Sequence, residues 1–356
     1  MSRPAPRPQI EAMSNYHSPQ VDVPVRLNTN ESPFPPPAGW TEELGRIAAS
    51  LEWNRYPDRS ATELRARVAE RHGVDPANVI VANGSNEIIQ MLLLAYGGHG
   101  RKVAVFEPTY QMYSQIARVT GAEVVKGERR ADFTLDPMEI VRLTEREKPS
   151  VTFLCNPNNP TGTVEPRSNL ETLLDSPGGL VVVDEVYAEF SDWSAVDMVT
   201  DEGGLVVTRT FSKTLSMAAL RVGYAVAPRA VVEAMGIAAL PYHLDSFKQA
   251  ATIAALGHAA EMEQNVDFVR TEREWISRSL AGIGCEVWPS GANFVLFRPP
   301  GHRTADVWAG LLARGVLVRD CSSWPGLEGC LRVTVGLGTE NGIFVSALTE
   351  LVAESR

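Results

Sequence analysis

The chain has 356 residues, of which 44% are apolar and 21% are charged, and its formal net charge is −10 at pH 7. This length allows two domains with full cores, and the negative charge argues against general binding to nucleic acids or anionic membranes. Neither C-x-x-C spacing nor a histidine cluster accompanies the cysteines, which are Cys155, Cys285, Cys321 and Cys330. The sequence therefore predicts no metal site and no disulfide framework, and it favours a reducing, cytoplasmic location.

The N-terminal residues do not resemble a signal peptide. Residues 1–8 contain three prolines and no apolar core, a composition typical of a flexible arm. Further along the chain, no apolar run approaches the roughly 18 uninterrupted residues of a membrane span.

Short apolar runs alternate with stretches of helical periodicity along the first two thirds of the chain. The predicted strands are 79–82, 102–106, 123–126, 151–155, 180–184, 205–209 and 222–226. Helices such as 61–71, 87–96 and 110–120 are predicted between them. This alternation is typical of βαβ units, so we expect an α/β fold with a doubly wound, mostly parallel sheet.

The last third predicts a second, smaller unit of the α+β class. A long helical stretch over 249–283 precedes strand-like segments at 292–297, 315–319 and 330–335, with a helix at 305–314. We predict an N-terminal arm over 1–29, a large domain over 30–245 and a small domain over 246–356.

The first candidate for chemistry is a glycine turn between a predicted strand and a predicted helix. It reads Val81-Ala82-Asn83-Gly84-Ser85-Asn86-Glu87. Free backbone N–H groups and the helix dipole at Ser85 and Asn86 could bind a phosphate, although such a turn taken alone is usually only a turn. Tyr110 follows the next strand and could stack on a planar ring.

Polar residues also follow the next predicted strands. Asn156 lies in a turn that two prolines and a glycine make rigid. Asp184 ends the apolar run Val181-Val182-Val183, and Tyr187 follows it. A carboxylate at this position is usually a helix cap. Open α/β sheets, however, bind ligands at the carboxyl ends of their strands, where these residues would meet.

The strand over 205–209 leads to Ser212-Lys213, and Arg221 follows. A lysine there can hold an aldehyde cofactor as a Schiff base, and an arginine can hold its phosphate. Pyridoxal 5'-phosphate fits this pair, with Asp184 at the protonated ring nitrogen and with Tyr187 and Asn156 at the phenolic oxygen. Each residue alone has an ordinary structural explanation, but their joint occurrence at strand ends favours a cofactor site.

Two arginines of the small unit are candidates for binding a substrate anion. Arg332 is flanked by apolar residues in Leu331-Arg332-Val333 and needs an anionic partner if it points inward. The alternative is an edge-strand arginine that faces water. Arg319 has the neighbouring Asp320 as a possible surface partner. Each guanidinium can bind a carboxylate or a phosphate through two hydrogen bonds.

Together these motifs resemble the fold-type I pyridoxal-phosphate aminotransferases, and among them the histidinol-phosphate aminotransferases. The resemblance covers nearly the whole chain, and its closest segments are 25–33, 54–58, 155–162, 212–213 and 240–244. The cofactor motifs are highly specific for the fold type. They are less specific for the substrate, because aromatic aminotransferases and threonine-phosphate decarboxylases are similar over the same segments.

The resemblance implies a homodimeric enzyme whose N-terminal arm packs with the small domain. It implies that Lys213 is the Schiff-base lysine and proton shuttle, and that Asp184, Asn156 and Tyr187 contact the ring as described above. The residues implied around the phosphate are Ser85, Asn86, Ser212, Arg221 and, from the partner subunit across the dimer interface, the residue equivalent to Tyr56.

For the substrates, the resemblance implies L-histidinol phosphate as amino donor and 2-oxoglutarate as acceptor. Arg332 and Arg319 would hold the anionic groups, Tyr16 would close over the phosphate and Asn293 would add a polar contact. The alternatives are an aromatic amino-acid aminotransferase, in which Arg332 binds the α-carboxylate, a threonine-phosphate decarboxylase, and a cofactor-binding module without activity.

Overall fold

The computed structural model describes residues 3–11, 13, 19–301 and 303–354. The strands of this part of the chain are β1 Val25–Leu27, β2 Val79–Ala82, β3 Lys102–Glu107, β4 Glu123–Glu128, β5 Val151–Cys155, β6 Leu180–Asp184, β7 Leu205–Thr210, β8 Gly223–Val226, β9 Glu286–Val287, β10 Phe294–Arg298, β11 Val316–Asp320 and β12 Leu331–Thr334. Its helices are α1 Pro8–Glu11, α2 Ala38–Ser50, α3 Thr62–His72, α4 Ser85–Tyr96, α5 Met112–Thr120, α6 Pro137–Glu147, α7 Arg167–Asp175, α8 Arg229–Ala238, α9 Ser246–Gly257, α10 Ala259–Ile283, α11 Thr304–Ala313 and α12 Gly338–Glu354.

A seven-stranded sheet with the order β2-β8-β7-β6-β5-β3-β4 forms the large unit. The strands from β7 to β4 run parallel, whereas β8 is antiparallel to both of its neighbours. Its central strands are buried along nearly their whole length and rich in valine, as expected for a sheet covered on both faces. The register pairs Cys155 with Asp184 and Asp184 with Thr208, so the carboxyl ends of three strands meet at one edge.

A second sheet of five strands, ordered β1-β11-β12-β10-β9, forms the small unit. Strand β1 comes from the N-terminal segment and pairs in parallel with β11, with Val25 opposite Val316. Strands β11 and β12 are antiparallel and place Arg319 directly opposite Arg332. The N-terminal segment is therefore bound to the small sheet before the chain enters the large one.

The predicted α/β fold, with a doubly wound, mostly parallel sheet and a smaller α+β unit, is confirmed. The predicted strands occur within two residues of their expected ends, and the sequence patterns missed the short strands β1 and β9. The predicted long helix is divided at His258 into α9 and α10. No helix in the described ranges is both long enough and apolar enough to cross a membrane.

The predicted domain boundary at 245/246 remains a prediction, and the packing favours a later position. Ala251 and Ala255 of α9 pack in the core of the large sheet, together with Met262 of α10. Val266, one turn further along α10, packs in the core of the small sheet. We therefore place the change from the large to the small unit within α10.

Candidate active site

A cavity of about 150 Å³ lies at the carboxyl edge of the large sheet, where the small sheet faces it. Its lining residues are Asn28, Thr29, Asn30, Ser85, Asn86, Tyr110, Gln111, Cys155, Asn159, Asp184, Val186, Tyr187, Thr210, Ser212, Lys213, Arg221, Arg319, Trp324 and Arg332. Residues from strand ends and loops far apart in sequence meet here. Most of the residues that the sequence analysis selected are among them.

One end of the cavity combines an uncapped helix N-terminus with an arginine, an arrangement that suits an anion. Helix α4 begins at Ser85 after Gly84, which has φ 81°, and no side chain caps the first turn of the helix. Arg221 lies so close to Gly84 that a Cβ atom there would be 2.7 Å from Nη2 of the arginine. The Arg221 Nη1 donates to Ser212 Oγ at 3.1 Å. A glycine at this turn thus lets the guanidinium approach free N–H groups at a helix N-terminus, which together suit a phosphate.

Asp184 lies deep in the cavity and is only 1% exposed. Its carboxylate accepts hydrogen bonds from Tyr113 Oη at 2.6 Å and from Thr208 Oγ1 at 3.0 Å. Burial raises the pKa of Asp184 to about 6, against the lowering effect of these two donors. A cation beside this carboxylate would relieve the cost of its burial.

Lys213 projects into the cavity from the loop after β7. Its Nζ donates to the backbone carbonyl of Thr29 at 3.2 Å. Burial lowers the pKa of Lys213 to about 7, and the positive charges of Arg332 and Arg221 act in the same direction. A large fraction of the lysine is therefore neutral near pH 7, which is the form that attacks an aldehyde.

The structure places Asn159, not Asn156, in the cavity. Asn156 is buried behind the lining, and its Oδ1 accepts from the backbone N–H of Glu165 at 2.9 Å. Asn159 lines the cavity with Tyr187, and its Nδ2 lies 3.4 Å from Tyr187 Oη. Asn156 and Asn159 each precede a proline in the same turn. The sequence therefore identified the turn but not the asparagine that faces the cavity.

Arg319 and Arg332 lie side by side on the small-sheet wall of the cavity. They are 8% and 5% exposed, which excludes the water-facing alternative for both. The Arg332 guanidinium donates to Asn159 Oδ1 at 2.5 Å and to the Asn28 carbonyl at 3.0 Å. The Arg319 guanidinium lies 5.9 Å from the ring centre of Trp324. Two buried guanidinium groups at one wall have the charge and the hydrogen-bond donors that suit an anion.

Three other predicted site residues do not line the cavity or lie outside the described part of the chain. Tyr56 is 80% exposed and stacks on Tyr242 with ring centres 4.5 Å apart. Asn293 lies in a small neighbouring cavity behind Lys213, where its Nδ2 donates to the Asn30 carbonyl at 3.1 Å. Tyr16 is outside the described residues.

Residues 28–30 lie in the resembling segment 25–33, but the sequence analysis gave them no role in the site. Their consecutive carbonyls accept hydrogen bonds from Arg332, Lys213 and Asn293. No spacing rule points to these residues, because the contact depends on the pairing of β1 with β11. The two donors to Asp184 were also missed, although the position of Tyr113 in the first turn of α5, shortly after Tyr110, was a usable signal.

Comparison with known proteins decides the family. The family model described as aminotransferase class I and II matches residues 22–346. The chain belongs to this aminotransferase family. A histidinol-phosphate aminotransferase of Frankia casuarinae is 46% identical over 96% of this chain and 89% of its own, and one of Thermobifida fusca is 44% identical over 96% and 94%. The crystal structure of a histidinol-phosphate aminotransferase from Sinorhizobium meliloti in complex with pyridoxal-5'-phosphate has a TM-score of 0.88, with 22% identity and 98% of both chains covered.

The enzyme is a pyridoxal-phosphate-dependent aminotransferase, and its cavity fits that cofactor. The uncapped start of α4 with Arg221 suits the phosphate. The buried carboxylate of Asp184 suits a protonated ring nitrogen, and the amine of Lys213 suits the aldehyde. The three chemical groups of the cofactor thus find complementary residues in one cavity.

If Lys213 is the amine that reacts with pyridoxal phosphate, uptake should become faster as pH rises through about 7, the lowered pKa of this lysine, and should reach a plateau above it, because an amine attacks an aldehyde in its neutral form. Absorbance-monitored mixing of the cofactor-free protein with the cofactor at a series of pH values measures this. Replacing Arg332 with glutamine removes a positive charge that lowers the lysine pKa, so the rise should move to higher pH. A rise centred near 10.5, the ordinary lysine value, would contradict the assigned environment.

Proposed function

We propose that this aminotransferase moves the amino group of L-histidinol phosphate to 2-oxoglutarate, giving imidazole-acetol phosphate and L-glutamate in histidine biosynthesis. The observation that carries the proposal is the buried pair of Arg319 and Arg332, which lie opposite each other in register at one wall of the cavity. A doubly charged phosphate matches two guanidinium groups better than a single carboxylate does. The relatives at 46% and 44% identity carry the same activity in their names.

We propose roles for the residues that would surround the cofactor, using their positions in the cavity. The start of α4 and Arg221 would hold the phosphate, Asp184 would hold the ring nitrogen, and Tyr187 and Asn159 would contact the phenolic oxygen. Tyr110 lines the same cavity and would stack on the ring. The proposed phosphate ligands are Ser85, Asn86, Ser212 and Arg221.

Pyridoxal phosphate supplies, when bound, the electron sink that makes the Cα–H bond of an amino substrate acidic. Asp184, which is 1% exposed, would favour a positive charge on the ring nitrogen. Lys213 Nζ would accept the proton from the substrate Cα, hold it and return it within the same site. Arg332 and Arg319 hold the anionic substrate while this proton moves. The same residues act in reverse order on the acceptor, so parallel initial-rate lines are expected.

A second copy of the chain is proposed to cover an exposed apolar surface on the large unit. The segments 53–56 and 237–242 expose large side chains, with Trp53 at 71%, Ile237 at 88% and Leu240 at 74%. The stacking of Tyr56 on Tyr242 joins the two segments. Monomers rarely expose contiguous patches of this kind. In the homodimer, Tyr56 would reach the cofactor phosphate of the partner subunit.

We also propose a cytoplasmic location for the enzyme. All four cysteines are buried and free, and burial raises the thiol pKa of each, to about 12 for Cys155. Unpaired thiols are usual in a reducing compartment.

Substrate preference tests the proposed function. We expect kcat/KM to be at least about a hundredfold higher for L-histidinol phosphate than for L-phenylalanine, each with 2-oxoglutarate, on the order of 2.7 kcal/mol in transition-state binding. Replacing Arg319 with alanine should remove most of this preference, because a buried phosphate loses a charged partner. Arg26→Ala, which changes an exposed arginine of the same sheet, should leave it intact.

A preference for phenylalanine would reassign the enzyme to aromatic amino-acid metabolism without changing the cofactor site. Release of carbon dioxide from threonine phosphate would instead indicate a decarboxylase. The crystal structure of L-threonine-O-3-phosphate decarboxylase from Porphyromonas gingivalis shares the fold, with a TM-score of 0.81 at 24% identity over 92% of this chain and 99% of that one. That likeness concerns the fold alone. The assay therefore has to distinguish a decarboxylase from an aminotransferase.

A further inference from the structure

Asn30 connects the N-terminal segment to both sheets at the active site. It is 2% exposed and adopts the left-handed backbone conformation, with φ 55°. Its carbonyl accepts from Asn293 Nδ2, and its side-chain amide reaches Tyr187 Oη at 2.9 Å. Asparagine is one of the few residues that tolerate this backbone conformation. Backbone and side chain are therefore both engaged in fixed contacts.

Thr334 orients the Asn30 amide through two hydrogen bonds. Its backbone N–H donates to Thr334 Oγ1 at 3.0 Å, and that hydroxyl directs its own hydrogen to Asn30 Oδ1 at 3.1 Å. With Oδ1 on the Thr334 side, the amide nitrogen is the atom that faces Tyr187. Since an amide nitrogen only donates, the Tyr187 oxygen accepts this hydrogen bond.

A second amide approaches the same tyrosine oxygen. Arg332, which can only donate, fixes Asn159 Oδ1 through its Nη1 at 2.5 Å. Asn159 Nδ2 is thereby turned to Tyr187 Oη, 3.4 Å away. Amide hydrogens thus face the lone pairs of the tyrosine oxygen. The hydroxyl hydrogen has to point away from both amides, and Tyr187 borders the cavity on its remaining side.

We propose that Asn30 is a positioning residue that keeps the Tyr187 hydroxyl donating into the cavity, toward the phenolic oxygen of bound pyridoxal phosphate. A hydrogen bond donated to that oxygen favours its negatively charged form. The inference rests on the proposed contact between Tyr187 and the phenolic oxygen, and it is independent of which amino donor the enzyme uses.

Asn30→Asp is the decisive substitution. Aspartate has the size of asparagine, and it also tolerates the left-handed backbone conformation of residue 30. A carboxylate only accepts, so the Tyr187 hydrogen turns toward residue 30 and away from the cavity. The visible absorbance of the bound cofactor is measured as a function of pH in the cofactor-loaded protein. We expect the midpoint of this titration to rise by about one pH unit. The cofactor should also dissociate about tenfold more readily, measured by absorbance after dilution.

A double-mutant cycle with Tyr187→Phe separates the tyrosine-mediated effect from the added charge. Arg332, Asp184 and Cys155 also act on Tyr187 electrostatically, and they are unchanged in every variant. Tyr187→Phe alone should raise the midpoint, and adding Asn30→Asp should move it by less than about 0.3 units further. An equal shift by Asn30→Asp in both backgrounds would overturn the inference. An unchanged midpoint in Tyr187→Phe would overturn the proposed tyrosine contact as well.

Asn30→Gly provides an independent variant that introduces no charge. Glycine keeps the left-handed backbone and the carbonyl that accepts from Asn293, and it removes only the amide. We expect the pH midpoint to rise by less than it does in Asn30→Asp. A midpoint equal to that of the wild type would count against the inference. Gln264→Glu makes the same amide-to-carboxylate change at an exposed position of α10 and should leave the midpoint unchanged.

Discussion

Replacing Lys213 with alanine should lower kcat by at least about 10⁴-fold, because we propose that this amine is both the attachment point of the cofactor and the group that moves the proton. Its position supports both tasks. Lys213 lines the cavity from the loop after β7. Burial lowers the pKa of its amine to about 7. No other lysine lines the cavity in the described part of the chain. The loss should therefore not be compensated by a neighbouring amine.

Steady-state turnover and the visible absorbance of cofactor-loaded protein measure this effect together. Lys126→Ala removes a half-exposed lysine whose Nζ lies 3.4 Å from Glu107 Oε1, and it serves as the matched control with unchanged values. Turnover within tenfold of wild type in Lys213→Ala would show that the chemistry uses another residue.

Replacing Asp184 with asparagine is expected to lower kcat/KM by roughly a thousandfold, in line with the 3–5 kcal/mol cost of leaving a buried charge without its partner. The amide has almost the same shape but carries no negative charge. The cationic ring nitrogen of the cofactor would then be buried without compensation, and the electron sink would weaken. The side chain is 1% exposed, so water cannot replace the lost charge.

The donors to Asp184 supply a graded control for this second prediction. Tyr113→Phe keeps the carboxylate and removes one hydrogen bond of 2.6 Å, so its effect should be about tenfold. Asp184→Glu retains the charge and should recover part of the activity lost in Asp184→Asn. Equal rates for Asp184→Asn and wild type would remove the carboxylate from the mechanism.

The sequence was sufficient to predict which residues converge at the floor of the cavity because the signals there are local. Asp184 ends a strand, Ser85 and Lys213 stand shortly after one, and the carboxyl ends of parallel strands meet at one edge. Apolar runs rich in valine identify those strands without knowledge of their partners. The order of the strands in the sheet was not needed to predict that these residues converge.

The parts that were missed depend on contacts between residues distant in sequence. Asn156 and Asn159 stand in equivalent Asn-Pro pairs, and only the contact of Asn159 with Arg332 on the other sheet distinguishes them. Asn30 acts through the pairing of β1 with β11, which no periodicity in a three-residue strand can show. The assignment of α9 to the large unit likewise depends on packing against Trp40, far away in sequence.

We expect this aminotransferase to take the amino group from histidinol phosphate and to retain it before the acceptor binds. The most direct measurement is the amount of imidazole-acetol phosphate formed when cofactor-loaded protein is mixed with L-histidinol phosphate alone. One equivalent of imidazole-acetol phosphate is expected per active site, with further product only after 2-oxoglutarate is added. No product from histidinol phosphate, with ketone formed from phenylalanine under the same conditions, would contradict this expectation.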